Sequence, residues 1–179
     1  RIAGSMHGER KGGLTPFGRT VVRRMEDKGM IVDIAHLSHA GVADMVAAAR
    51  RPIVSSHGGV QAVCKENRNL TDAEIRGVAS TGGLVGVGYW EGAVCALDPR
   101  AIAASMKHVR DLVGIRHVAL GSDFDGSVVT PFDTAELAQL TQALIDAGFS
   151  ESDIRAAMGG NALRVIGAGI RPIATQSKA

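Results

Sequence analysis

The chain has 179 residues and a mass of 18.6 kDa, a length for one domain rather than two. Its 45% hydrophobic and 21% charged residues exclude a disordered chain, and its net charge of +2 is too small for a nucleic-acid footprint despite a pI near 8.8. No apolar run approaches the roughly 18 to 20 residues that cross a bilayer, and the opening RIAGSMHGERKGG lacks the apolar middle of a signal peptide.

In chain order, Thr15-Pro16 pairs a capping residue with proline at the first helical position, and Phe17, Val21, Val22 and Met25 recur at helical spacing, predicting a helix over about 16–28. Met30 to Ile34 then reads as a short buried parallel strand, with His36 just past its end. Ser38 caps a helix over about 39–50, and Pro52 precedes a strand from Ile53 to Ser55, with His57 just beyond it. Thr71 and Glu74 form a capping box for a helix to about Ala79, followed by the strand Leu84 to Tyr89. Pro99 opens a helix to about Val113, Gly114 ends it, and His117 to Leu120 makes a fourth strand that delivers GSDFDG. Helices over about 134–147, 151–158 and 160–168 close the chain.

Strands alternating with helices at strand-start spacings of roughly 22 to 33 residues predict an α/β fold with four parallel strands and right-handed crossovers. Glycine supports this: 23 residues, nearly twice the usual share of about 7%, fall in no collagen period and no Gly/Ser run and so serve tight turns. An eight-stranded barrel needs roughly 250 residues, so four strands make either an open sheet or half a barrel. Residue 1 is Arg in a loop-like segment, which suits a piece of a longer protein.

The chemistry-bearing residues fall on one edge. His36 and His57 follow the first and second strands and Asp123 the fourth, always on the carboxyl side, where parallel α/β folds build their sites. Two neutral imidazoles can bind a divalent metal, and a nearby carboxylate can bind it too or move a proton.

The segments GGLTPFG (12–18), MIVDIAHLS (30–38), SSHGGV (55–60), ENRNLTD (66–72), TGGLVGVGYW (81–90) and HVALGSDFDG (117–126) resemble the membrane dipeptidase family of zinc peptidases, in its bacterial members especially. The similarity continues to MGGNALRV at 158–165. It implies the C-terminal half of a (β/α)8 TIM barrel of the amidohydrolase type, a single partial domain over 1–179. A complete active site of this kind holds two zinc ions (Zn2+). By the same resemblance, His36 and His57, 21 residues apart, are the two histidine ligands of one zinc. Arg68 holds the substrate's terminal carboxylate, for which a forked guanidinium is suited. Asp123 is the catalytic carboxylate that takes a proton from the attacking water and passes it to the leaving amine. Asp125 is left as a turn residue. Complete members also carry an H-x-D pair on the first strand, a bridging Glu on the third and a His on the fourth. None of these is present, so this chain alone is expected to supply half of the metal cluster and to be inactive.

The expected partner is a dipeptide substrate; a homodimer and the cellular location are left open. No G-x-G-x-x-G, H-E-x-x-H, G-x-S-x-G or G-x-x-x-x-G-K-[ST] occurs. His39 and His108 in helices and His7 in the opening loop are assigned no metal, and His117 reads as strand-start structure. Asn69-Leu70-Thr71 is a glycosylation sequon read instead as a helix cap. A different amidohydrolase-type reaction is disfavoured because Arg68 would have no carboxylate to hold, and a binding-module remnant is the alternative from another class. Cys64 and Cys95 lie on neighbouring rim loops; two reduced thiols suit a cytosolic protein, whereas the resemblance implies a bridged pair in an exported one, with Cα atoms within about 7 Å.

Overall fold

Local signals start the fold. Thr15 Oγ1 accepts the N–H of Gly18 at 2.9 Å, and with Pro16 inside the first turn this fixes helix α1, Pro16–Asp27. This computed structural model describes residues 2–7 and 11–170. Strand β1 (Val32–Asp33) leads to α2 (His39–Ala48), which Ser38 caps through Gly41 N–H. Strand β2 is Ile53–Gly58, and α3 (Asp72–Ser80) starts on the full Thr71/Glu74 capping box. Strand β3 (Leu84–Val87) is followed by a one-turn helix α4 (Glu91–Val94) that the sequence reading did not contain, then α5 (Pro99–Val113) and β4 (Val118–Leu120). Helices α6 (Ala138–Asp146), α7 (Glu151–Arg155) and α8 (Asn161–Gly169) complete the described chain. The expected continuous helix over 151–158 instead passes into a π turn at Ala156–Gly160, and 134–136 is a separate 3-10 turn.

The strands are parallel and lie in the order β1-β2-β3-β4. A doubly wound sheet reverses its order at a switch point, whereas here every crossover advances to the next strand, as in a barrel. That decides between the two architectures the strand count left open. Strand β3 is buried at all four positions, because both of its faces are covered. One face carries Ile53, Val85, Val87 and Val118 against Ile75, Val78, Ile102, Met106 and Leu140, all at most 1% exposed. The other carries Leu84 and Ala119, with Ile31 and Val54, against Val165 and Ala162 of α8.

Helix α8 crosses the amino-terminal ends of the strands. Arg51, just before β2, donates to Gly169 O at 3.0 Å, while Arg164 donates to Gly82 O before β3 at 2.9 Å and to Arg116 O before β4 at 2.7 Å. Buried Asn161 adds bonds from Nδ2 to Ile115 O (2.7 Å) and Val118 O (2.9 Å). One end of the sheet is closed in this way, and the carboxyl ends are left to carry the polar loops. Among the described residues, no helix is long and apolar enough to cross a membrane.

Candidate active site

His36 leaves β1 in the left-handed backbone region, φ 66°, and Asp123 leaves β4 at φ 60°. Histidine and aspartate tolerate this conformation better than most residues, yet it costs free energy, and such residues cluster at sites. Asp33 ties the strand ends together, its Oδ1 accepting the N–H groups of Ala35 and Ser56, each at 3.0 Å. His57 is not beyond β2 but inside it. The strand runs on to Gly58 because its register against β3 shifts between Ser55 and Gly58, and this irregularity turns the His57 side chain onto the rim. The shift needs glycine opposite it, on β3 and just past the end of β4. A Cβ on Gly86 would stand 2.2 Å from Ser56 O, and one on Gly121 2.5 Å from the same atom.

The four residues singled out in the sequence meet. His36 Nε2 and His57 Nε2 are 2.9 Å apart, Arg68 Nη2 is 3.2 Å from His36 Nε2, and Asp123 Oδ1 is 4.0 Å from His57 Nε2. Arginine has only protons to offer, so His36 Nε2 accepts and its Nδ1 carries the ring hydrogen. That hydrogen is donated to His7 Nε2 at 2.8 Å. His57 Nε2–H then points at His36, and its Nδ1 accepts from Ser56 Oγ at 2.8 Å. His7, in the opening loop, is therefore a neighbour of the site, placed there because Met6 N–H bonds His36 O at 3.0 Å. His39 and His108 pair with Glu74 and Asp72, and His117 Nδ1 bonds Gly83 O, so these three rings are engaged away from the His36–His57 pair.

Electrostatics favour the neutral form of His36. Loss of water around the His36 ring, with the Arg68 guanidinium and the imidazoles of His57 and His7 beside it, holds its pKa below the usual histidine value, although Asp123 pulls the other way. Arg68 is half-buried; burial draws its pKa down and Asp123 draws it up, and it stays a cation. The Asp123 carboxylate accepts no hydrogen bond among the described residues, so its acceptor sites are free. It borders, with His57, Ser56, Ser122 and Asp125, an open polar cleft of about 410 Å³.

A metal fits this rim in part. Two imidazole nitrogens bound to one zinc at about 2.0–2.1 Å and the tetrahedral angle lie about 3.3 Å apart, so His36 and His57 would need to separate by only about 0.4 Å. His36 presents an unprotonated Nε2 to the rim, whereas His57 would present one only with its ring hydrogen moved to Nδ1, where Ser56 Oγ can accept it. Among the described residues, however, no group of three or more His, Cys, Asp or Glu side chains could hold a metal ion, so the chain offers two donors and not a full set.

Around the site, Trp90 stacks on Arg68; Thr71 of the Asn69-Leu70-Thr71 segment caps α3 as read from the sequence, while Asn69 itself is wholly buried with its Nδ2 on three backbone carbonyls, a structural staple. Cys64 and Cys95 are disulfide-bonded with Cα atoms 5.3 Å apart, inside the expected distance. Cys95 itself has a left-handed φ of 59° at the end of α4.

Known proteins resemble this chain along most of its length. A family model described as membrane dipeptidase (Peptidase family M19) matches residues 3–177. Dipeptidase aclJ of Aspergillus oryzae is 35% identical over 166 residues, covering 88% of this chain and 39% of that protein. A metallo peptidase from Rhodobacter sphaeroides, solved with a phosphinate mimic of the dipeptide L-Ala-D-Ala, superposes with a TM-score of 0.84 at 26% identity, over 94% of this chain and 50% of its own. The probable dipeptidase PvdM from Pseudomonas aeruginosa shares the fold, with a TM-score of 0.87 at 23% identity over 96% of this chain and 60% of its own. The chain thus spans 39% to 60% of the length of these relatives.

Proposed function

This chain belongs to the membrane dipeptidase family, Peptidase family M19, and we propose that it supplies the carboxyl-side four βα units of a barrel that hydrolyses the single peptide bond of a dipeptide. Family membership supports a metallopeptidase acting on dipeptides. The observation that carries the reading is the convergence of His36 Nε2 and His57 Nε2 at 2.9 Å with a free carboxylate on one side and a guanidinium on the other.

In this reading His36 and His57 hold one of two zinc ions, the remaining ligands coming from outside the residues described. When bound, zinc polarises the scissile carbonyl and acidifies the attacking water. Arg68 takes the substrate's terminal carboxylate through its fork and so sets the register of the dipeptide on the rim. Asp123, with its acceptor sites unoccupied, takes a proton from the attacking water and returns one to the leaving amine. A substrate without a free carboxylate would leave the half-buried Arg68 without a counter-charge, and this is the basis for selecting dipeptides.

In the complete protein, Asp123→Asn should lower kcat by about 10² or more at unchanged metal content. Arg68→Ala should chiefly raise KM for dipeptides with a free carboxylate. Equal effects of Arg68→Ala on free and C-terminally amidated dipeptides, or near-normal kcat in Asp123→Asn, would overturn the assignment.

A further inference from the structure

Arg68 is held in an unusual way. Its Nε is buried and has no hydrogen-bond partner, its Nη2 lies against an imidazole, and among the described residues no carboxylate forms an ion pair with it. A guanidinium that must present two parallel N–H groups to a carboxylate needs its plane fixed by something. The flat surface available is Trp90, whose ring centroid is 4.7 Å from Arg68 Cζ.

The backbone is built around that indole. A Cβ on Gly88 would fall 2.0 Å from Trp90 Cζ3, and one on Gly92 would fall 3.0 Å from Trp90 Nε1, so the ring lies in a slot between two glycines. Main-chain bonds fix its origin as well, since Trp90 O accepts the N–H of Ala93 at 2.9 Å at the start of α4. The ring's other neighbour is His57, centroid to centroid 6.1 Å. One half-buried aromatic plate thus spans from the metal-facing imidazole to the carboxylate-facing guanidinium.

We propose that Trp90 is the positioning residue of the carboxylate subsite, its indole face holding the Arg68 guanidinium in the plane in which both prongs of the fork face the substrate's terminal carboxylate. This rests on the reading of Arg68 as the carboxylate binder. The indole stacks directly on Arg68, 4.7 Å from its Cζ, and lies farther from the His57 ring, 6.1 Å between centroids, so its expected effect is on binding and not on the chemical step. An unsupported guanidinium must be ordered by the substrate itself, which weakens binding of the carboxylate and leaves an amidated end untouched.

The test compares the complete protein with Trp90→Leu, Trp90→Phe and Arg68→Ala on a dipeptide and on its C-terminal amide. Trp90→Leu keeps apolar bulk and loses the π face; KM for the free dipeptide should rise by about 5- to 30-fold, with kcat, metal content and KM for the amide within about twofold. Trp90→Phe, retaining a smaller face, should recover part of that loss. A purely structural tryptophan would shift both substrates alike or lower the melting temperature with no KM split, and either result overturns the proposal. If Arg68→Ala separates the two substrates while Trp90→Leu does not, this inference fails alone; if Arg68→Ala does not separate them, the reading beneath it fails. A second readout is the part of the tryptophan emission that is lost in Trp90→Phe, obtained as the difference between the parent and that variant; Trp90 is the one tryptophan in these 179 residues. A dipeptide phosphinate with a free carboxylate should change this Trp90-dependent emission saturably and the amidated phosphinate should not, whereas identical responses to the two would count against the proposal.

Discussion

Asn69 offers a sharp test of how the site is supported. Its side chain is 0% exposed, and its Nδ2 lies 2.8 Å from Cys64 O, 3.1 Å from Ala93 O and 3.2 Å from Gly92 O, which staples the segment bearing Arg68 to the turn after Trp90. An amide has two N–H groups, so in Asn69→Ala two buried carbonyls lose their donor. At about 1–1.5 kcal/mol each this amounts to about 2–3 kcal/mol, or a fall in Tm of roughly 5–10 °C for a domain of this size. Asn69→Asp is the more telling variant. It sets a carboxylate where three carbonyl oxygens already point, so folding favours the protonated acid and its folded pKa lies above the unfolded value near about 3.9. By linkage, the Asp variant matches or exceeds the Ala variant in stability below about pH 4 and falls progressively behind as pH rises toward the folded pKa. Urea unfolding of parent, Ala and Asp forms between pH 4 and 8 measures this. A parent-like Asn69→Ala, a pH-independent gap between the Ala and Asp forms, or a glycan on Asn69 would refute the reasoning.

The disulfide joins the same two loops across 31 residues, for which chain entropy gives about 3.7 kcal/mol; the Cys64→Ala/Cys95→Ala double variant should lose about 3–4 kcal/mol, and less than the sum when combined with Asn69→Ala. Two free thiols in unreduced protein would contradict the bond. Gly86→Ala should cost at least about 1–3 kcal/mol by pressing on Ser56 O, and because that contact shapes the turn before His57 it should also weaken metal binding. Unchanged stability and metal affinity in Gly86→Ala would show that the register shift in β2 does not aim His57.

Helix starts were legible because their signals are local: Thr15-Pro16, Ser38 and the Thr71/Glu74 box each act within three residues and each caps the helix expected. The carboxyl-side placement of His36, His57 and Asp123 was legible too, since parallel strands alternating with helices leave one rim free. Long-range geometry was not. That His57 lies within β2 depends on a register shift against β3, and no property of the IVSSHG segment alone encodes it. His7 meets His36 across 29 residues through backbone pairing of a short loop segment, for which hydrophobic periodicity carries no signal. The role of Trp90 hangs on glycines at 88 and 92, which can be read as turn residues until the indole is seen between them. Helix α4 is four residues long, below the length at which a helical period shows.

The central claim is that His36 and His57 are ligands of one catalytic metal. It is tested most directly by metal analysis of the complete protein and its His36→Ala and His57→Ala variants, run beside a dipeptide hydrolysis assay. The account predicts that each variant loses most of the metal at one of two sites and nearly all turnover. A full metal complement with normal hydrolysis in either variant would contradict it.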